Sequence, residues 1–216
     1  MMPTIAIDSD ALRLVAVIRA ERPEDAFFAA RAMAEAGVRG IEITFTVPDA
    51  TASIREAIAA LPSDVIVGAG TVLTESQALD ALHAGARFLV SPIRDAGLVK
   101  IGHEHGALVA IGGLTPTEIV AAARAGADYV KVFPGESLGG PTYIKHLRGP
   151  LPDIPLMVTG GVTRENAAAY LAAGAQSVGL GGDLMPRAMI RDHDYDGLVA
   201  HARSVVASVL GSGRVA

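Results

Sequence analysis

Ala125-Gly126-Ala127-Asp128-Tyr129-Val130-Lys131-Val132-Phe133-Pro134 carries the pattern that decides the fold. A helical stretch, Pro116–Ala125, ends where Gly126 supplies a left-handed C-cap, and the apolar run Ala127–Phe133 follows at once. The same turn recurs three times: Ala36-Gly37 before Val38–Phe45, Ala84-Gly85 before Ala86–Val90, and Ala173-Gly174 before Ala175–Leu180. The four glycines are 48, 41 and 48 residues apart, so the chain repeats a helix–turn–strand unit. Four further apolar runs lie between them: Leu14–Ile18, Val65–Val67, Ala107–Ile111 and Pro155–Val158. All are apolar on both faces, as parallel strands covered by helices must be.

Helical patterns fill the gaps at Pro23–Ala36, Ala50–Ala60, Glu75–Ala84, Asp95–His105, Pro116–Ala125, Thr142–Leu147 and Arg164–Ala173, and Ala200–Leu210 is a last helix. Alanine favours them intrinsically, and Thr115-Pro116 and Thr163 offer N-cap chemistry. Eight β–α units in 216 residues predict an α/β protein, a single (β/α)₈ barrel over residues 1–216. A short extension precedes it, Pro186–Gly197 reads as a long loop, and the tail from Gly211 is expected to fray. An open doubly wound sheet is the alternative arrangement of the same elements.

Composition narrows the function. Half the residues are hydrophobic, enough for a sizeable core and against a disordered chain. The net charge is −5 with no Lys/Arg run, which argues against a nucleic-acid partner. Cysteine is absent, so disulfides, thiolate catalysis and Cys-based metal sites are excluded, in keeping with a cytoplasmic location. Met1–Asp10 does not read as a signal peptide, and no apolar run is long enough to predict a membrane span. His103-Glu104-His105 does not read as a metal site, because positions i and i+2 of a helix do not share a face.

In a barrel the chemistry sits at the C-terminal ends of the strands. Lys131 stands there among Val130, Val132 and Phe133, and it is one of only three lysines. Lys100 and Lys145 fall in helical patterns that face solvent. Desolvation at Lys131 would yield a neutral, nucleophilic amine; the plain alternative is a lysine that snorkels to the mouth or pairs structurally. Glu42, within Gly-Ile-Glu-Ile-Thr-Phe, is a lone carboxylate in an apolar strand. It either pairs with Arg19 or Lys131, or serves as a general acid/base beside the amine. Arg19 and Thr71 could hold a carboxylate, and Arg19 could equally be structural. Thr159-Gly160-Gly161 and Gly181-Gly182 end the seventh and eighth strands, where backbone N–H groups recurrently bind phosphate.

These motifs, in order along residues 12–190, resemble the class I 2-keto-3-deoxy-6-phosphogluconate (KDPG) and 4-hydroxy-2-oxoglutarate (KHG) aldolase family. They are Val15-Ala16-Val17-Ile18-Arg19, Gly40-Ile41-Glu42-Ile43-Thr44-Phe45-Thr46, Gly68-Ala69-Gly70-Thr71-Val72, Val90-Ser91-Pro92, Leu114-Thr115-Pro116-Thr117-Glu118, Lys131-Val132-Phe133-Pro134-Gly135-Glu136 and Thr159-Gly160-Gly161-Val162. The resemblance implies a homotrimer of barrels that acts on a small 2-keto acid and needs no metal or organic cofactor. It implies that Lys131 forms a Schiff base and Glu42 shuttles protons. Thr71 and an arginine would bind the carboxylate of pyruvate. Some members carry that arginine at the position of Thr46, which leaves Arg19 for the role here. Pro92 and Phe133 would line the pocket, Gly160 and Gly161 would bind phosphate, and Thr159 would lie near the substrate hydroxyls. The chain departs from the family at Gly112-Gly113, where Pro-Gly-Val is usual. It departs again at Gly182-Asp183, where many members place a serine that helps hold phosphate at the position of Gly182. Asp192, Asp194 and Asp196 would add an acidic rim.

Overall fold

The computed structural model describes residues 9–211, so the N-terminal extension before Ser9 and the tail after Gly211 lie outside the described residues. Eight parallel strands close into a barrel in sequence order. They are β1 (Leu14–Ile18), β2 (Gly40–Thr44), β3 (Ile66–Gly70), β4 (Phe88–Val90), β5 (Leu108–Gly112), β6 (Tyr129–Val132), β7 (Leu156–Thr159) and β8 (Ser177–Leu180). Pairing of β1 with β8 completes the ring, so the open-sheet alternative is excluded. Nine helices are described around the barrel: α1 (Pro23–Glu35), α2 (Ala50–Ala60), α3 (Glu75–His83), α4 (Ala96–Glu104), α5 (Pro116–Arg124), α6 (Pro141–Arg148), α7 (Ala167–Ala172), α8 (Arg187–Arg191) and α9 (Tyr195–Leu210). None of the described helices is long and apolar enough to cross a membrane.

The repeated Ala-Gly turn does what its sequence predicts. Gly37, Gly85, Gly126 and Gly174 all sit at φ between 90° and 109°, where a side chain would be strained. Thr115 and Glu118 form a full capping box at the start of α5. Thr163 does not cap as expected. Its own N–H is taken by the Asn166 side chain, and α7 begins only at Ala167. The segment Pro186–Gly197 is also not a loop. Arg187–Arg191 is helical, and the last helix starts at Tyr195, five residues before the expected Ala200. Asp194 makes that early start possible, because its side chain accepts the Gly197 N–H.

Side chains alternate along each strand, so one set fills the barrel and the other faces the helices. The outward set packs with the helices into the larger core, in which Ile41, Ile43, Val130 and Val132 are fully buried. The inward set forms a second, smaller cluster that includes Val15, Val17, Ile66, Phe88, Tyr129 and Met157. Glu42 and Lys131 belong to this inward set by register: Glu42 pairs with Val17 and Gly68, and Lys131 with Gly112 and Met157. Apolar residues plug the barrel below them and leave the two ionisable groups near the C-terminal mouth.

Candidate active site

Three inward glycines open the room in which these groups lie. A Cβ on Gly70 of β3 would stand 1.8 Å from Oε1 of Glu42, so the carboxylate rests directly on that glycine. A Cβ on Gly112 of β5 would lie 2.2 Å from the Pro92 carbonyl oxygen. One on Gly179 of β8 would lie 2.7 Å from the Thr159 methyl carbon. The Gly112-Gly113 departure thus has a local reason: at Gly112 the loop after β4 passes too close for any side chain.

Glu42 is 0% exposed, and neither of its carboxylate oxygens has a hydrogen-bond partner. Burial pushes its pKa above the ordinary carboxylate value, and the positive charges of Lys131 and Arg19 offset part of that rise. Lys131 is 3% exposed. Burial pushes its pKa down and Arg19 adds to the fall, while Glu42 opposes it. Both shifts favour the neutral forms, an amine with a free lone pair and a carboxylic acid with a proton to give. The structural alternative, a salt bridge between the two, is not formed; Nζ of Lys131 instead lies 5.3 Å from the centre of the Phe133 ring. Lys100 and Lys145 are exposed on α4 and α6, as expected.

Arg19 follows β1 and reaches across the mouth. Its Nη2 donates to Thr71 Oγ1 and its Nη1 to Thr46 Oγ1, both at 3.3 Å. The direction of the next bonds is fixed. Thr44 donates to the Ile18 carbonyl oxygen, so Thr46 must donate to Thr44, at 2.6 Å. Thr46 therefore offers Arg19 only its oxygen, and a chain Arg19–Thr46–Thr44–Ile18 holds the guanidinium beside Thr71. Sequence reasoning missed this role for Thr46; the alternation that buries Thr44 beside Glu42 was its only trace. Thr71 sits at φ 55°, a strained setting that aims its side chain into the mouth. Pro92 is half-buried at the end of β4, and Phe133 is 41% exposed over the opening.

The turn after β7 has Gly160 and Gly161 at φ 79° and 78°. It is pinned by the N–H groups of Gly135 and Glu136, which donate to the carbonyls of Thr159 and Gly160. The Glu136 side chain lies against Gly161, where a Cβ would meet its Oε2 at 2.4 Å. The Thr159 hydroxyl is buried and unpartnered. Gly181 and Gly182 follow β8, and a Cβ on Gly182 would touch nothing within 4 Å. Three of the acidic residues near this end of the barrel have partners of their own, and Asp196 lies in the first turn of α9. Asp183 accepts the Arg164 N–H at 2.6 Å, Asp192 pairs with Arg191, and Asp194 caps α9. His103 meets Asp128 and His105 meets the Ile101 carbonyl, so the two histidines do not converge.

The chain that carries this site is similar to known proteins over most of its length. The family model for KDPG and KHG aldolase matches residues 7–201. A probable 2-dehydro-3-deoxy-6-phosphogalactonate aldolase of Rhizobium meliloti is 39% identical over 172 residues, covering 79% of this chain and 81% of that protein. A 2-dehydro-3-deoxy-phosphogluconate aldolase of Treponema pallidum is also 39% identical, over 174 residues, with the same shares. Among solved structures, KDPG aldolase from Legionella pneumophila, with pyruvate captured at low pH as a covalent carbinolamine intermediate, superposes with a TM-score of 0.83. It is 28% identical, over 91% of this chain and 95% of that one. The family match spans nearly the whole chain, and the chain belongs to the KDPG and KHG aldolase family of lyases.

Proposed function

We propose that the chain is a Schiff-base aldolase that cleaves KDPG to pyruvate and glyceraldehyde 3-phosphate, and KHG to pyruvate and glyoxylate. The observation that carries this reading is the unpaired, fully desolvated Lys131–Glu42 couple, in which each group is shifted toward its neutral form. The neutral Lys131 amine attacks C2 of the keto acid, and its surplus proton passes to the former carbonyl oxygen. Glu42 gives its proton to the departing hydroxyl, water leaves, and a protonated imine remains. Glu42, now a carboxylate, takes the proton of the C4 hydroxyl. The C3–C4 bond breaks, its electron pair runs into the imine as an enamine, and the aldehyde departs. Glu42 then protonates C3 and accepts a proton from the water that adds to C2. Collapse of that adduct frees pyruvate and restores the amine and the acid.

Arg19 and Thr71 bind the keto acid carboxylate, Arg19 through its fork of donors. Pro92 and Phe133 flank the chain of the substrate, with the Thr159 hydroxyl at its hydroxyl groups. The Gly160-Gly161 turn and Gly181-Gly182 receive the phosphate on backbone N–H groups. The open Gly182 and the Glu136 carboxylate against Gly161 favour a second reading, a preference for the 6-phosphogalactonate analogue or an unphosphorylated keto acid. Relative kcat/KM on the phosphorylated and unphosphorylated substrates separates the two. A homotrimer is part of this proposal, supported by the exposed Ile58, Leu73, Ile93 and Leu138; light scattering tests it. Borohydride reduction in the presence of pyruvate, followed by intact mass and peptide mapping, tests the chemistry. A single adduct on Lys131 is expected. A folded protein that gives no adduct is a sugar-acid-binding barrel or an enzyme without an imine step.

A further inference from the structure

A cavity of about 720 Å³ lies on the far side of Arg19, between the loop after β1, Thr46 and helix α8. Four arginines line it, Arg19, Arg22, Arg187 and Arg191, against two carboxylates, Glu21 and Asp25. The chain as a whole carries −5, so this cluster runs against its overall charge. The four arginines are not equivalent. Arg22 is held by Asp25 through bonds of 2.9 and 2.7 Å. Arg191 is paired with the neighbouring Asp192 at 2.8 Å. Arg187 makes no hydrogen bond or ion pair among the described residues. Arg19 donates only to two threonine hydroxyls, Thr71 toward the barrel mouth and Thr46 in the wall of the cavity. Two guanidinium groups thus share the cavity with no carboxylate bound to either.

The geometry points to a second anion site here, in which Arg19 and Arg187 together bind a phosphoryl dianion. Forked guanidinium donors suit the oxygens of such a group, and an anion held by two of them binds by charge-assisted hydrogen bonds. Arg19 belongs to both sites. A dianion in the cavity therefore competes with the keto acid carboxylate for one guanidinium. That antagonism rests on the aldolase reading, whereas binding of the dianion does not. Inorganic phosphate and a phosphate monoester offer the same chemistry.

The test uses the full chain at constant ionic strength, with calorimetric titration of inorganic phosphate and, separately, of glycerol 3-phosphate. Arg187→Ala should weaken binding about tenfold or more, the scale of a lost charged hydrogen bond, and Glu21→Gln should tighten it. A preference for the monoester identifies a phosphorylated metabolite as the occupant, and equal binding identifies free phosphate. With the unphosphorylated KHG as substrate, phosphate should raise KM and leave kcat unchanged, and Arg187→Ala should abolish that effect while its rate without phosphate stays at the parent value. Unchanged phosphate binding in Arg187→Ala overturns the site and returns the anion to the Gly160-Gly161 turn. Equal inhibition by potassium chloride overturns it as well. Arg187-dependent binding with no rise in KM refutes the sharing of Arg19. Arg187-dependent binding in a protein that releases no pyruvate refutes the aldolase reading and leaves the anion site standing.

Discussion

Gly70→Ala isolates the geometry of Glu42 without touching its chemistry. The added Cβ would stand 1.8 Å from Oε1, 2.5 Å from Cδ and 2.6 Å from Cγ of Glu42. An oxygen at that distance must retreat by about 1.5 Å to recover van der Waals contact. Gly70 is fixed by its pairing with Thr44 and Val90, so the carboxylate moves and the strand does not. A displacement of about 1 Å can cost about 10²-fold in rate, and loss of general acid/base help costs ~10²–10⁴-fold. kcat for pyruvate release should therefore fall by about 10²-fold or more, while borohydride still captures pyruvate on Lys131, only more slowly. The control is a double-mutant cycle. In an Glu42→Ala background the clash is gone, so adding Gly70→Ala should change neither the melting temperature nor the residual rate. Full activity in Gly70→Ala with a normal melting curve would refute the claim that Glu42 acts from the position it holds on Gly70. So would an equal further loss in the Glu42→Ala background.

Four other outcomes follow from the site. Thr46→Val removes the acceptor that steadies Arg19; KM for the keto acid should rise several-fold with kcat nearly unchanged, as steady-state kinetics will show. Gly182→Ser fills open space, so the fold should tolerate it, and the added hydroxyl should lower KM for phosphorylated but not unphosphorylated substrates. Lys131→Met should yield no borohydride adduct and should alter the pH dependence of stability. The folded-state pKa of Lys131 is depressed, so the parent protein loses stability as pH falls from the unfolded value of 10.5 through the folded one. The Met variant escapes that loss, and its advantage in urea unfolding should grow toward lower pH. Glu42→Gln is the mirror case: the parent loses stability as pH rises from 4.5 through the raised folded value, so the Gln variant's advantage should grow upward.

The barrel was legible because its signals are local. A Gly C-cap followed by a two-faced apolar run needs no knowledge of the rest of the chain, and all four such turns adopt positive φ. Glu42 and Lys131 were legible for the opposite reason, as polar residues where an apolar strand cannot keep them without a purpose. What escaped depends on contacts between distant segments. The helix Arg187–Arg191 has only five residues and no apolar period of its own, yet it packs against α1 and α9. Asp183, Asp192 and Asp194 look alike in the sequence, and only the structure shows their different partners, the Arg164 N–H, the Arg191 guanidinium and the Gly197 N–H. Thr46 reads as a missing arginine until its hydrogen bonds show it holding another one in place.

The polar layer of the barrel argues against a structural role for its charges. A buried pair kept for stability would be in contact and hydrogen-bonded, because an unpaired buried charge is costly. Glu42 and Lys131 instead form no salt bridge, the Glu42 oxygens have no hydrogen-bond partner, and burial shifts both groups toward neutrality. Gly70 and Gly179 lie in the same region, where a Cβ would meet only side chains, and glycine in a strand costs about 0.5–1 kcal/mol relative to alanine. A chain selected only to fold would fill that layer with apolar side chains, as it does one layer below with Val15, Phe88, Tyr129 and Met157. The cost is confined to the layer that opens on the C-terminal mouth, beside Arg19, which is tied to two threonines. That confinement points to binding and proton transfer, since neither packing nor charge balance needs an amine and an acid that burial shifts toward their neutral forms in one layer.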